Sequence, residues 1–256
     1  MQPYVIAHRG ASATVPENTL PAFVAAWETG ARWVEADTQP TADDVPVILH
    51  DSTLDRTTTG SGAVRAHTAA QVAELEVVGL PGERPPTLSA LLELVSADRA
   101  VLLEIKGPHT RAQVSAVLAA VRAAGCADRV LLQSFDIDVL RELAGLAPGL
   151  PFGLLVERLD DDPVRRCREL GAVAYNPHHR AVLGRAGVVP ELHAAGISVA
   201  VWTADDPGDW ARLSAAGVDA VITNTPGEFL RWQAGPGGRD PSTGGSGDVS
   251  AGKRAR

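Results

Sequence analysis

Short runs of β-branched and other apolar residues alternate with longer Ala-, Leu- and Arg-rich stretches along most of the chain. The strand-like runs fall at 5–8, 33–39, 101–106, 130–134, 152–156, 173–176, 198–203 and 220–223. Each of the last six leads into a segment with helical spacing, such as 111–124 or 207–216. Gly30, Gly125, Gly171, Gly196 and Gly217 stand where such segments end, which suits the left-handed residue just past a helix C-terminus. Strand and helix alternating at this spacing predict parallel strands joined by crossover helices. About eight such units close into an α/β barrel, the TIM (β/α)₈ fold. Runs such as AVLLEI and ISVAVW are apolar almost throughout, as parallel strands covered on both faces are. A doubly wound open sheet produces similar runs, and the number of units favours the barrel.

Two segments break the rhythm. Residues 51–88 are rich in Thr, Gly and Pro, and predict a small insertion after the second strand, above the barrel mouth, with a short helix near 69–75. From Gly235 onward the sequence GPGGRDPSTGGSGDVSAGKRAR has no apolar periodicity and predicts a disordered tail. The expected organisation is one barrel domain over residues 1–234 and a tail over 235–256.

Composition narrows the class. The chain has 256 residues, of which 45% are hydrophobic, enough to bury a sizeable core without disulfides. Cys126 and Cys167 have no metal-ligand or redox spacing and are expected as buried small apolar residues. The net charge of −8 suits neither a phosphate backbone nor an anionic membrane surface, so no nucleic-acid partner is expected. An anionic small molecule would have to be gathered by a few placed cations. The first residues, MQPYVIAHRG, show no signal-peptide pattern, and no apolar run approaches a membrane span. A cytoplasmic location without stable membrane insertion is the expectation, and the oligomeric state is not legible.

The candidate chemistry sits at predicted strand ends. Glu35 and Asp37 in WVEADTQ lie two apart on one strand, so both side chains share a face. Glu104 and Lys106 in VLLEIKG repeat that relation on the next barrel strand. Strand C-termini surround the active site of such a barrel. Three carboxylates converging there repel one another, and a divalent cation relieves this. Oxygen-only ligands select a hard ion, Mg²⁺ or Ca²⁺, over zinc. His8, Arg9 and His50 follow apolar runs at the same end. Two imidazoles suit general acid and general base, and Arg9 and Lys106 suit a phosphoryl group. His67, His109 and His193 are expected on ordinary surface or packing duty, and so is His178, although it and Asn176 stand where they can line the pocket.

These blocks together resemble the glycerophosphodiester phosphodiesterase family over most of residues 5–230. AHRGASATVPENT is similar to its opening motif, VEADTQPTADDVPVILHD to its metal and second-histidine motif, and LDRTTTGSG to the turn into its inserted segment. LLEIKG is similar to its third metal-ligand strand, and QSFD, VWTADD and VDAVITNTP to later signatures. The resemblance implies a TIM barrel holding one divalent metal ion, Ca²⁺ or Mg²⁺, and hydrolysing a glycerophosphodiester to sn-glycerol 3-phosphate and an alcohol. It places Glu35, Asp37 and Glu104 as metal ligands, His8 and His50 as catalytic residues, and Arg9 and Lys106 as phosphate contacts. Trp202 would lie beside the glycerol moiety, with a plain core role as the competitor. Glu17 would stand near the mouth and Asn18 would cap the following helix. His50 is assigned the base and His8 the acid, an order that the spacing does not fix. Thr38 and Asn224 depart from the family pattern. Competing expectations are a lysophospholipase D-type lipid phosphodiesterase on the same barrel, a non-catalytic phosphoester-binding protein and a sugar-phosphate isomerase.

Overall fold

The computed structural model describes residues 2–235. The expected tail beyond Gly235 lies outside the described residues. Strands β1 (Tyr4–Ala7), β2 (Trp33–Pro40), β3 (Pro46–Ile48), β4 (Ala100–Ile105), β5 (Val130–Ser134), β6 (Phe152–Val156), β7 (Ala174–Pro177), β8 (Ser198–Val201) and β9 (Ala220–Thr223) form one sheet in the order β1-β9-β8-β7-β6-β5-β4-β2-β3. β1 also pairs in parallel with β2, so all strands except β3 close into a parallel eight-stranded barrel. Helices such as Leu20–Glu28, Arg111–Ala123 and Pro207–Ala216 return the chain between strands. The TIM barrel expected from the alternation is therefore present, with one strand more than the apolar runs predicted. None of the described helices is long and apolar enough to cross a membrane.

Strand parity divides the side chains into two layers. Val34 and Ala36 of β2, Val101, Leu103 and Ile105 of β4, and Leu132 of β5 face outward into the main core against the helices. Inside the barrel, Ile6, Leu102, Ala200, Ala220 and Ile222 pack with Trp33, Leu131 and Trp202. The alternate residues further along the same strands are polar: Glu35, Asp37, Glu104 and Gln133 are all buried. The barrel thus has an apolar floor and a charged upper layer.

β3 is short and antiparallel to β2, with Thr38 opposite Ile48 and Gln39 opposite Val47. The Thr38 hydroxyl donates to the Val47 carbonyl at 3.2 Å, which gives this departure from the family pattern a packing role. Leu49 N–H donates to Asp37 O at 3.0 Å, and Gln39 Nε2 donates to His50 O at 3.1 Å. This hairpin delivers His50 to the barrel mouth. The insertion that follows is better built than its composition suggests. Val47, Leu49, Leu54, Val64 and Val72 form a small core of their own with Leu75. Its helix is only Ala69–Val72, begun by a capping box between Thr68 and Gln71.

The helix after β1 corrects one expectation. Its N-cap is Thr19, whose hydroxyl accepts from Ala22 N–H at 3.2 Å. Asn18 instead adopts φ 57° and turns its amide into the barrel. Gly10 has φ 83°, and a Cβ there would lie 2.6 Å from the Ala22 carbonyl carbon and oxygen. Gly10→Ala is expected to cost roughly 2–4 kcal/mol, combining left-handed strain with backbone overpacking. Urea unfolding of the variant checks this, and a loss below about 1 kcal/mol would contradict the close packing of this turn.

Candidate active site

Glu35 and Asp37 project from consecutive inward positions of β2, and Glu104 comes from β4, where it pairs with Asp37 in register. One carboxylate oxygen from each lies within 4.8 Å of the others. Their exposures are only 2%, 1% and 6%, so water does little to screen their repulsion. Lys106 Nζ lies 2.8 Å from Glu104 Oε1 and 3.6 Å from Asp37 Oδ1. Arg9 Nε lies 3.2 Å from Asp37 Oδ2, although the pair is not aligned as a hydrogen bond and this buried N–H has no acceptor among the described residues. Asn18 Nδ2 donates to Asp37 Oδ2 at 2.8 Å, and Asn18 Oδ1 accepts from Asp37 N–H. Glu35 accepts only the backbone N–H of Arg9, at 3.1 Å, among the described residues.

These surroundings set the carboxylates apart. Burial, then repulsion from Asp37 and Glu104, pushes Glu35 well above the ordinary carboxylate range. Burial, then Asp37, pushes Glu104 up to about 7 against the pull of Lys106. Burial would raise Asp37 as well, but the Arg9 and Lys106 charges outweigh it and hold this carboxyl below its usual value. Two cations against three acids leave one charge uncompensated. The donor set is all oxygen, and this fits a hard divalent cation.

The two imidazoles are oriented by different partners. His8 Nδ1 lies 2.7 Å from Asn224 Oδ1, and the Asn224 amide donates to Asp205 Oδ2 at 2.6 Å. Asp205 Oδ1 also accepts from Asn224 N–H and the Thr223 hydroxyl. Asn224, noted from sequence as a departure, thus works as a holder of His8. Burial, then the Arg9 charge, lowers the His8 pKa. His50 Nδ1 lies 2.6 Å from Asp51 Oδ1. Arg56 donates to both Asp51 and Glu17, and Glu17 accepts from Arg9 at 2.9 Å. Arg56, mainly by these hydrogen bonds, keeps Asp51 ionised far below the usual carboxylate value. Each ring has Nδ1 engaged, which leaves Nε2 for chemistry.

His8, Arg9, Glu35, His50, Glu104 and Lys106 line one cavity of about 100 Å³. Phe135 and Trp202 form its opposite wall, with ring centroids 5.3 Å apart. Trp202 Nε1 donates to Asn176 O at 2.8 Å, so this ring is fixed at the mouth rather than lost in the core. His178 stacks edge-on against Trp202 without lining that cavity. His193 pairs with Asp219 on the surface. The metal, catalytic and phosphate-contact residues proposed from sequence, and Trp202, line this cavity, except the buried Asp37, which pairs with Arg9 and Lys106 of its lining. The spacing gave no individual role to Arg56, Gln133, Phe135 or Asp205. Phe135 follows the inward Gln133 by two residues, a signal that was available.

A model described as the glycerophosphoryl diester phosphodiesterase family matches residues 8–228. A glycerophosphodiester phosphodiesterase of Caldanaerobacter subterraneus subsp. tengcongensis is 34% identical over 241 residues, covering 88% of this chain and 96% of that protein. The structure of a phosphodiesterase of Oleispira antarctica, in complex with the product sn-glycerol-3-phosphate, superposes with a TM-score of 0.84 at 28% identity, covering 91% of this chain and 97% of its own. That of a glycerophosphodiester phosphodiesterase of Agrobacterium tumefaciens gives 0.80 at 27% identity, covering 90% and 100%.

The raised carboxylates generate a pH prediction for the metal-free protein. Glu35 and Glu104 favour the fold when protonated, so their contribution is full below the ordinary value of 4.5 and is lost as pH rises, through about 7 for Glu104. Asp37 acts oppositely, losing its contribution only as pH falls below its ordinary 3.8. Melting temperature should therefore fall between about pH 5 and about pH 8 without divalent ions. Added Mg²⁺ or Ca²⁺ should raise it more at the higher pH, because binding displaces those protons. A melting profile indifferent to both pH and cation would contradict the site.

Proposed function

The chain belongs to the glycerophosphoryl diester phosphodiesterase family, and from that premise we propose that it hydrolyses a glycerophosphodiester to sn-glycerol 3-phosphate and an alcohol. The observation that carries this reading is the buried carboxylate trio flanked by two imidazoles with Nδ1 engaged, in one cavity with Arg9 and Lys106. The Oleispira relative, solved with sn-glycerol-3-phosphate, supports that product.

Glu35, Asp37 and Glu104 would hold one divalent ion, Mg²⁺ or Ca²⁺. When bound, it supplies positive charge that draws electron density from the phosphoryl group. Arg9 and Lys106 bind the phosphoryl oxygens and match the charge that grows on them. Phe135 and Trp202 offer the glycerol carbons an apolar wall.

We assign the histidine roles in the reverse of the order expected from sequence. His8 is the more buried ring, and burial and Arg9 keep it neutral, so Nε2 is ready to accept the proton of the attacking hydroxyl. His50 stands at the rim with 30% of its side chain exposed, against the ionised Asp51, where it can protonate the departing alkoxide. The attacking hydroxyl belongs to water or to the substrate's own glycerol. Trapping a cyclic phosphate would identify the second.

A lysolipid substrate would need an apolar approach to the mouth. Of the exposed large apolar side chains among the described residues, Tyr4, Val78, Phe135 and Val173, only Phe135 lines the cavity.

His8→Ala and His50→Ala should each lower glycerol 3-phosphate release by roughly 10²–10⁴-fold. Near-parental turnover in both would remove the assignment. A chelator should abolish turnover, and Mg²⁺ or Ca²⁺ should restore it in the parent but far less in Glu35→Gln, which loses a ligand charge. Turnover that survives chelation would count against the metal.

A further inference from the structure

A second groove opens beside the active-site cavity and shares two of its walls, His50 and Lys106. It continues over Ser52, Thr53, Arg65 and the turn at Gly107 and Pro108, so much of it is built by the insertion. We propose that this groove receives the leaving alcohol and selects a neutral polyol, of the glycerol or inositol kind, over a quaternary ammonium head group. This rests on the function proposed above, in which His50 delivers the proton to that alcohol.

The charges on the groove disfavour a cationic occupant. Lys106 and Arg65 line it, and Asp51 is the one carboxylate in its described lining. Both Asp51 oxygens are committed: Oδ1 to His50 Nδ1 at 2.6 Å and Arg56 Nη2 at 3.0 Å, Oδ2 to Arg56 Nε at 2.6 Å. Among the described residues, no unengaged acid remains there to meet a trimethylammonium group. Nor does an aromatic face, the usual recognition element for such a cation. Phe135 and Trp202 lie in the neighbouring cavity, not in this groove.

Hydroxyl groups find better partners. The exposed Ser52 and Thr53 hydroxyls make no hydrogen bond among the described residues. Arg65 is anchored by one Nη2 bond to the Pro108 carbonyl, which leaves its other N–H groups unengaged among the described residues. These groups offer several donors and acceptors to a polyol leaving from the phosphorus.

The test compares kcat/KM for sn-glycero-3-phosphoinositol, glycerophosphoglycerol and sn-glycero-3-phosphocholine in the parent and in Arg65→Glu. The parent should favour the two polyol esters by about tenfold or more, the worth of one missing cation–aromatic contact. Arg65→Glu should shrink that ratio about tenfold, mainly through KM, because it loses a donor and gains an acid that attracts the ammonium. A melting temperature for the variant confirms that it folds. A parent that handles the choline ester as well as the inositol ester would overturn the proposal, and so would an Arg65→Glu that scales all three substrates equally. Absence of turnover on every ester would remove the phosphodiesterase function itself, and the groove's role with it.

Discussion

Three carboxylates held together in a nearly dry space are the constraint on which the rest of the site depends. At separations of up to 4.8 Å, each ionised pair repels by about 3 kcal/mol or more at an effective dielectric near 20. That exceeds what an exposed ion pair contributes. Lys106 and Arg9 offset part of it, Lys106 against Glu104 and Asp37 and Arg9 against Asp37 and Glu17. Among the described residues, Glu35 is left with one backbone N–H and the edge of the His8 ring at 4.0 Å. The site must therefore either take up protons or take up a cation, and this choice couples folding, pH and metal to one another.

Much of this was legible along the chain because it depends on local periodicity. The i, i+2 relation of Glu35 to Asp37 and of Glu104 to Lys106 fixes their shared face wherever the strand lies. The alternation of strands and helices then brings strand ends to one mouth. What escaped depends on contacts between distant segments. Asn18 has the sequence position of a helix cap, but Thr19 takes that role and Asn18 grips Asp37 nineteen positions on. The sequence around His50 reads as an apolar run followed by a loop. Only the antiparallel pairing of β3 with β2 shows why the ring reaches the mouth. Asp205 and Asn224 lie on different loops, and no spacing rule pairs them.

The insertion shows a similar division. Its Thr, Gly and Pro content suggested an irregular excursion, yet Leu54, Val64 and Val72 give it an apolar centre. A packed insertion can hold side chains in place as a loose loop cannot. It supplies Asp51 to His50, Arg56 to Asp51 and Glu17, and Arg65 to the adjoining groove. The barrel thus provides the carboxylate trio and the deep imidazole, while the insertion positions the rim imidazole and shapes what lies outside it. Variation in such an insertion can alter the alcohol accepted without disturbing the carboxylates.

The backbone at the end of β1 ties these parts together. Arg9 and Asn18 both adopt φ 57°, a left-handed conformation that costs a side-chain-bearing residue of order 1–3 kcal/mol. The strain has a return in each case. At Arg9 it directs the N–H to Glu35 while the guanidinium reaches Asp37 and Glu17. At Asn18 it turns the amide onto both the carboxylate and the backbone of Asp37. Asn18 N–H in turn donates to Arg9 O at 3.1 Å, so the two strained residues brace each other. A relaxed turn would leave Glu35 without its one donor and Asp37 without its amide clamp. The local strain is therefore part of what holds like charges at ligand spacing.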